Sequence, residues 1–371
     1  MTKSILIASL LFVSMYSSDL TPQETLGKSL FFDKNLSKNK TMACATCHNP
    51  DMGFTDHRGN GVSNMASLGD NGKSVGGRNA PTASYANQTP SFHYDKKEKA
   101  YVGGQFWDGR ASTLEDQAGG PPLNPVEMEM PNEKTVMNRV LENPYYVSTF
   151  KDIYGKDIFK DPKKAFAALT KSIASFERTS EFSPFDSKYD RFLRDEYDLT
   201  PLEDLGKALF FSNNNNSCSS CHVLKGEDKE GETFTNFQYH NIGVPVNHAL
   251  NKKSGTKNAD EGLLANPAVT DVNQKGKFKV PTLRNVAVTG PYMHNGVFKD
   301  LRTVVEFYDK YNNPDRTINP ETGKKWADPE VAETISKEKL KAKKLTDRKV
   351  DALIAFMKIL TDKKYEHLIK E

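Results

Sequence analysis

Apolar residues along the chain recur mostly at helical spacing. Leu301, Val304, Val305 and Tyr308 fall at i, i+3, i+4 and i+7; residues 350–360 form a second apolar segment with Thr346 as its predicted N-cap; residues 164–178 carry a third. The alternation that half-buried strands need is scarce. Polar runs at 212–217 and 247–261 predict loops. Residues 337–349, with seven basic side chains against two acidic ones, predict a solvated helix face, with docking of an acidic partner as the alternative. The pattern is that of a mainly α protein.

One segment occurs twice. Leu26-Gly27-Lys28-Ser29-Leu30-Phe31-Phe32 returns 179 residues later as Leu205-Gly206-Lys207-Ala208-Leu209-Phe210-Phe211, and each copy is followed within about 20 residues by Cys-x-x-Cys-His. That separation far exceeds solenoid periods, so it predicts duplication of a whole domain. Pro184 disfavours helix at the residue before it, which sets a predicted boundary near 185, with domains at 19–185 and 186–371. Ahead of them, Lys3, an apolar run at 5–16 and polar Ser17-Ser18-Asp19 read as an export signal over residues 1–18. The run is shorter than the roughly 20 residues that span a bilayer; an uncleaved membrane anchor is the alternative.

Composition agrees with two domains. The chain has 371 residues, against about 150 for a typical domain, and its 37% hydrophobic share excludes a multi-span membrane protein. Lys+Arg 51 against Asp+Glu 48 gives a net charge of +3, which excludes the strongly basic profile of a nucleic-acid binder.

The four cysteines are Cys44, Cys47, Cys218 and Cys221, and none remains for a disulfide framework. Cys44-Ala45-Thr46-Cys47-His48 and Cys218-Ser219-Ser220-Cys221-His222 both fit the attachment pattern of a c-type haem. On a short helical turn, two sulfurs three residues apart form thioethers with the haem vinyl groups while the next residue brings an imidazole to the iron. With 4 Cys and 8 His in the chain, chance predicts about 0.001 such pentapeptides. A zinc site would use four Cys/His ligands around one ion, leaving the histidine after each pair unexplained. Two covalent haems are therefore predicted, one per domain, ligated by His48 and His222. The second axial position of each iron decides between electron transfer and peroxide binding. His57, His93, His240, His248, His294, His367, the methionines and Tyr308 are all candidates.

Further motifs carry a resemblance. Residues 104–111 (Gly-Gln-Phe-Trp-Asp-Gly-Arg-Ala), 113–118 (Thr-Leu-Glu-Asp-Gln-Ala), Gly120-Pro121, Asn124-Pro125-Val126-Glu127-Met128 and 280–286 (Val-Pro-Thr-Leu-Arg-Asn-Val) together resemble bacterial di-haem cytochrome c peroxidases and their MauG-type relatives. The likeness runs over nearly all of the chain beyond the signal. It implies two cytochrome-c-like domains, with a peroxidatic haem at His48 and an electron-transfer haem at His222. It places the family's catalytic glutamate on Glu127, its glutamine on Gln117 and the tryptophan between the haems on Trp107. It also implies a calcium ion between the domains, held by the Asn79 side chain and the carbonyls of Thr289 and Pro291; oxygen ligands suit Ca²⁺. His294 matches a family position to which only a supporting role is assigned.

Two departures bear on the subtype. Where peroxidases of the family carry a second histidine for the resting peroxidatic iron, this chain has Asn64, with His57 nearby. Where they place an axial methionine on the second iron, it has Tyr308, as MauG-type enzymes do. The resemblance thus implies an open iron at His48 and a hard oxygen donor at the other, one that favours ferric iron. The implied reaction is H2O2 reduction with Glu127 as proton shuttle. Three sources or fates of the electrons stay open: a c-type cytochrome or other periplasmic donor, an oxidisable protein side chain, or a non-enzymatic di-haem carrier, against which Glu127 and Gln117 argue. A homodimer is left open.

Overall fold

The computed structural model describes residues 20–59, 61, 63–212, 218–224 and 231–370. The apolar run at 5–16 and most of the predicted loop at 212–217 lie outside them. Among the described residues, eleven α-helices dominate: α1 (Pro22–Phe31), α2 (Cys44–Cys47), α3 (Leu114–Leu123), α4 (Glu133–Leu141), α5 (Pro144–Tyr154), α6 (Pro162–Glu177), α7 (Lys188–Leu193), α8 (Pro201–Phe210), α9 (His248–Ser254), α10 (Leu301–Asp309) and α11 (Asp347–Lys358). Extended structure is limited to three two-stranded antiparallel ribbons. No described helix is long and apolar enough to cross a membrane.

The repeated segment forms the same element twice. Helices α1 and α8 both open on a threonine N-cap, Thr21 and Thr200, in a reciprocal capping box with Glu24 and Glu203, and both place proline in the first turn. Each then crosses a long helix at a glycine. A Cβ on Gly27 would lie 1.9 Å from the Ser172 carbonyl of α6, and one on Gly206 would lie 1.9 Å from the Ala352 carbonyl of α11. Only glycine permits these backbone approaches.

Two hydrophobic cores surround the crossings. One contains Leu26, Phe31, Val136, Phe150, Leu169, Phe176 and Phe182. The other contains Tyr189, Leu209, Phe210, Phe234, Leu353, Phe356 and Leu360. Polar contacts brace the second core internally and tie it to the first. Arg284 is fully buried and donates to both carboxylate oxygens of Asp190, to Ser187 Oγ at 3.1 Å and to the Glu232 carbonyl at 2.6 Å. Tyr85 Oη donates to Asp362 at 2.6 Å, and Tyr365, near the C-terminus, packs into the first core with its hydroxyl 2.9 Å from the Pro50 carbonyl.

Two local expectations differ from the structure. The polar stretch 247–261 contains α9, which holds because Asn247 caps its N-terminus, Gly255 closes it at φ +77° and Leu250 buries its apolar side. Residues 337–349 are no continuous helix: a 3₁₀ turn at Lys337–Leu340 gives way to extended chain before Thr346 caps α11. Leu340 and Leu345, both buried, hold that basic segment along one internal cavity of the second half, Leu345 within the second core.

Candidate active site

The cysteine–histidine segments open onto two separate cavities. Cys44, Cys47 and His48 line one of about 480 Å³, whose other walls include Trp107, Arg110, Gln117, Pro121, Glu127, Ile173 and Glu177. Helix α2 presents the cysteines, and its C-cap residue His48 turns its Nδ1 to the Phe54 carbonyl at 3.2 Å. That contact leaves Nε2 as the nitrogen for a metal. Burial holds the His48 pKa below its ordinary value, so the imidazole is neutral, as ligation requires. Burial likewise pushes the Cys47 thiol up to about 12. Protonated, apolar-walled thiols fit thioether formation better than a thiolate metal site.

The wall facing His48 carries acid–base groups. Gln117 comes from α3, whose start is fixed by the Thr113–Asp116 capping box. Glu127 follows α3 in a tight turn in which Asn124 donates its amide to Glu127 Oε1 at 2.9 Å. Burial raises the Glu127 pKa above the ordinary carboxylate range, with Arg110 and the Asn124 hydrogen bond partly offsetting it. Among the described residues, His48 is the single imidazole lining this cavity. His57 is exposed, with Nδ1 3.4 Å from the Asn49 amide, and Asn64 donates to the His57 carbonyl at 3.0 Å; neither lines the cavity.

The second cavity, about 210 Å³, is lined by Cys218, Cys221, His222, Trp107, His240, Lys279, Met293, His294, Tyr308 and Met357 among others. His222 repeats the arrangement of His48: Nδ1 meets the Phe234 carbonyl at 2.8 Å, and burial lowers its pKa to about 4. Helix α10 projects Leu301, Val304, Val305 and Tyr308 into this space, so the phenol and the His222 imidazole share one cavity. Burial raises the Tyr308 pKa. The Nε2 atom of His240 is buried without a hydrogen-bond partner, that of His294 lies 3.9 Å from a Glu330 carboxylate oxygen, and the buried Lys279 amine, pushed down to about 7 by burial, donates to the Gly104 carbonyl. An unsatisfied imidazole at His240 and a desolvated amine beside apolar walls fit a flat apolar group with acidic substituents, as a haem is.

Trp107 is the wall common to both cavities and is fixed from both halves. Its Nε1 donates to the Asn79 carbonyl at 2.8 Å, and its own carbonyl accepts from the Lys279 backbone at 2.9 Å. The loop that carries it turns tightly through Gly109, at φ +68°, where a Cβ would lie 2.1 Å from Tyr239 Oη. Arg78 clamps the same region, bidentate on Asp260 at 2.6 and 2.7 Å and on Asp108 at 2.7 Å.

The family profile for "Di-haem cytochrome c peroxidase" matches residues 21–198. The methylamine utilization protein MauG of Paracoccus denitrificans is 51% identical over 352 residues, covering 93% of this chain and 90% of that one. The cytochrome c551 peroxidase of Nitrosomonas europaea is 32% identical over 283 residues, covering 76% and 71%. Among solved structures, the diheme peroxidase BthA of Burkholderia thailandensis aligns with a TM-score of 0.83 at 29% identity, over 95% of this chain and 91% of that one. The chain belongs to the di-haem cytochrome c peroxidase family, as a MauG-type member.

Membership of this family of oxidoreductases implies two c-type haems, and the two cavities fit them: each joins a cysteine pair, a neutral histidine and apolar walls. The cysteine pairs lie in different cavities, which does not fit one shared zinc ion. The implied calcium ligands are less directly joined. The Asn79 backbone donates to the His294 carbonyl at 2.7 Å, bringing it beside the 289–294 segment, and its side-chain amide donates to the Met65 carbonyl at 3.3 Å, leaving Oδ1 for a cation. Thr289 packs near Gly53, whose carbonyl accepts from Thr82 at 2.6 Å.

Two residues escape motif reading. Lys279 precedes the recognisable 280–286 run and declares itself only by burial. Glu177, 5% exposed at the end of α6, lines the His48 cavity with Oε2 unpartnered. Comparing the last helices of the two repeats would have exposed it, because the equivalent position in the second copy is a methionine.

Proposed function

We propose that the protein is a MauG-like di-haem peroxidase that reduces H2O2 in the His48 cavity with electrons delivered through the His222 cavity. The observation that carries this reading is that Glu127 and Gln117 line the same cavity as His48, a pairing that a plain electron carrier does not need. The haems would be attached through Cys44, Cys47, Cys218 and Cys221, with His48, His222 and Tyr308 as iron ligands. When bound, they supply a peroxide-binding iron and a store of oxidising equivalents.

The chain's own residues supply the rest. Glu127 takes a proton from the near oxygen of the peroxide and returns it to the far one, so that water can leave. Asn124 holds the Glu127 carboxyl in place, and Gln117 orients the peroxide through its amide. Trp107, as the shared wall, is placed to carry charge between the cavities. Tyr308 offers the second cavity a hard oxygen donor, and that feature favours a second reading in which the electron source is a protein side chain that becomes oxidatively modified. Asn79, Thr289 and Pro291 would hold Ca²⁺ near Trp107 through Asn79, and export across a membrane agrees with covalent haem attachment.

The test is visible and EPR spectroscopy of the haem-loaded protein before and after H2O2, followed by turnover with a reduced c-type cytochrome. Two six-coordinate haems inert to peroxide would sink the proposal. Rapid turnover supports the cytochrome donor. A long-lived oxidised state discharged by a specific protein supports the second reading.

A further inference from the structure

The duplicated scaffold allows the two cavities to be compared position by position. Gly27 meets Ser172 and Phe176 on α6 as Gly206 meets Ala352 and Phe356 on α11. The residue after Phe176 is Glu177, which lines the first cavity; the residue after Phe356 is Met357, which lines the second. The same scaffold position thus carries a thioether in one cavity and a carboxyl in the other. Glu177 is 5% exposed and its Oε2 has no partner. An unpaired buried carboxyl costs stability, and such exceptions in native folds call for an explanation in function.

Its surroundings define a route. Arg178 donates to both oxygens of Glu115 at 2.7 and 2.9 Å, and this partly exposed pair ties the end of α6 to α3, the helix that carries Gln117. The charged or titratable groups that act on Glu177 are Arg178 from its own end of the helix and Glu115 from α3; Cys44 of α2, whose thiol Glu177 acts on in turn, becomes a thioether once haem is attached. Glu177 thus shares one cavity with Gln117 and Glu127 and is followed at once by the arginine of a partly exposed ion pair.

Reduction of H2O2 to two waters consumes two electrons and two protons. Breaking the O–O bond releases one water that carries both peroxide hydrogens. The remaining oxygen leaves as the second water after two electrons arrive from a one-electron donor and two protons arrive from solvent. We propose that Glu177 is the carboxyl through which those solvent protons enter the cavity: its O–H gives a proton toward the remaining oxygen, and the carboxylate is reprotonated from the Glu115–Arg178 edge. This inference rests on the His48 cavity being the peroxide site. Burial, which raises the Glu177 pKa to about 8, keeps the acid loaded at neutral pH, with Arg178 offsetting and Glu115 reinforcing the shift.

The test uses haem-loaded wild type and the variants E177Q, E177M and E177D, with E127Q as a control. Stopped-flow absorbance follows oxidation by H2O2 and then the return on mixing with reduced c-type cytochrome; phenol red in weak buffer follows proton uptake; infrared difference spectra report the protonated-carboxyl C=O band. E177Q and E177M are expected to be oxidised at the wild-type rate. Their return and proton uptake should be at least about tenfold slower, short of the full loss of a direct general acid. E177D should recover most of the rate, and the carboxyl band should vanish in E177Q. Wild-type return and uptake in both E177Q and E177M, or a carboxyl band that survives in E177Q, would overturn the assignment. So would slowing confined to the oxidation step. An E127Q protein that still reacts normally with peroxide would instead overturn the peroxide-site reading.

Discussion

Glu127→Gln tests the chemistry at its centre. The substitution keeps the side-chain volume, and the new amide oxygen can still accept from Asn124, which donates to Glu127 Oε1 at 2.9 Å. Fold and haem attachment should therefore be unchanged. The basic oxygen is lost. Removing a positioned general acid–base typically costs about 10²–10⁴-fold, or about 2.7 to 5.4 kcal/mol of barrier. The structure favours the upper half of that range. Arg110, the charged neighbour that offsets the Glu127 shift, cannot act as a base, and Glu177 is held protonated by burial. In wild type the Glu127 pKa is raised, so the active carboxylate is lost as pH falls through a midpoint above the usual value of about 4.3. The peroxide reaction should fall with it, whereas E127Q should be slow and flat. Single-turnover stopped-flow absorbance with H2O2 across that pH range measures both. A variant that retains both haems and reacts within about threefold of wild type, well inside the loss expected of a general acid–base, would remove Glu127 from the mechanism.

Three further outcomes follow from the geometry. Tyr308→Phe should change the low-spin EPR spectrum of the second haem while leaving peroxide binding at the first intact; identical spectra would return Tyr308 to a packing role. Gly206→Ala pushes a Cβ to 1.9 Å from the Ala352 carbonyl and should cost about 3 kcal/mol or more, read as a lower Tm and a substoichiometric second haem; wild-type values for both would show that the helices part freely. Asp190→Asn removes the carboxylate paired with the fully buried Arg284 guanidinium, for about 3–5 kcal/mol and a Tm drop of about 10 °C; a drop under 2 °C by calorimetry, far below that cost, would mean the buried pair contributes little.

Much of this architecture could be read from residue order because the informative features are local. A Thr-Pro-x-Glu start, a glycine five residues after that proline and a cysteine pair followed by histidine each act within one or two turns, and all three recur in the same order in the second half. The stripe of α10 was legible for the same reason. Features that depend on distant partners were not. Asn247 and Gly255 build α9 from a stretch whose composition is that of a loop, and only the burial of Leu250 makes the caps matter. The basic run at 337–349 has helical composition but is drawn out by two buried leucines, Leu345 in the second core and Leu340 beside it on the wall of the second cavity. Lys279 and Glu177 carry no motif, and their significance lies in surroundings assembled from segments far apart in the chain.

Duplication explains why the two cavities share a frame, and side-chain divergence explains why they need not share a task. Each histidine is oriented by a backbone carbonyl, Phe54 for His48 and Phe234 for His222, so the imidazole's orientation does not depend on the side chains that line its cavity. The glycine crossings fix helix positions in the same way. What varies is the lining: Gln117, Glu127 and Glu177 in the larger cavity, Tyr308, Met293 and Met357 in the smaller one. On the proposed reading, a cavity that holds and releases small polar molecules gains from acids and space, whereas one that only holds charge gains from close packing that limits reorganisation. Trp107 joins them, anchored by Asn79 on one side and by Lys279 on the other. Any movement of one half against the other therefore strains the contacts of this residue, which ties the shape of the first cavity to that of the second.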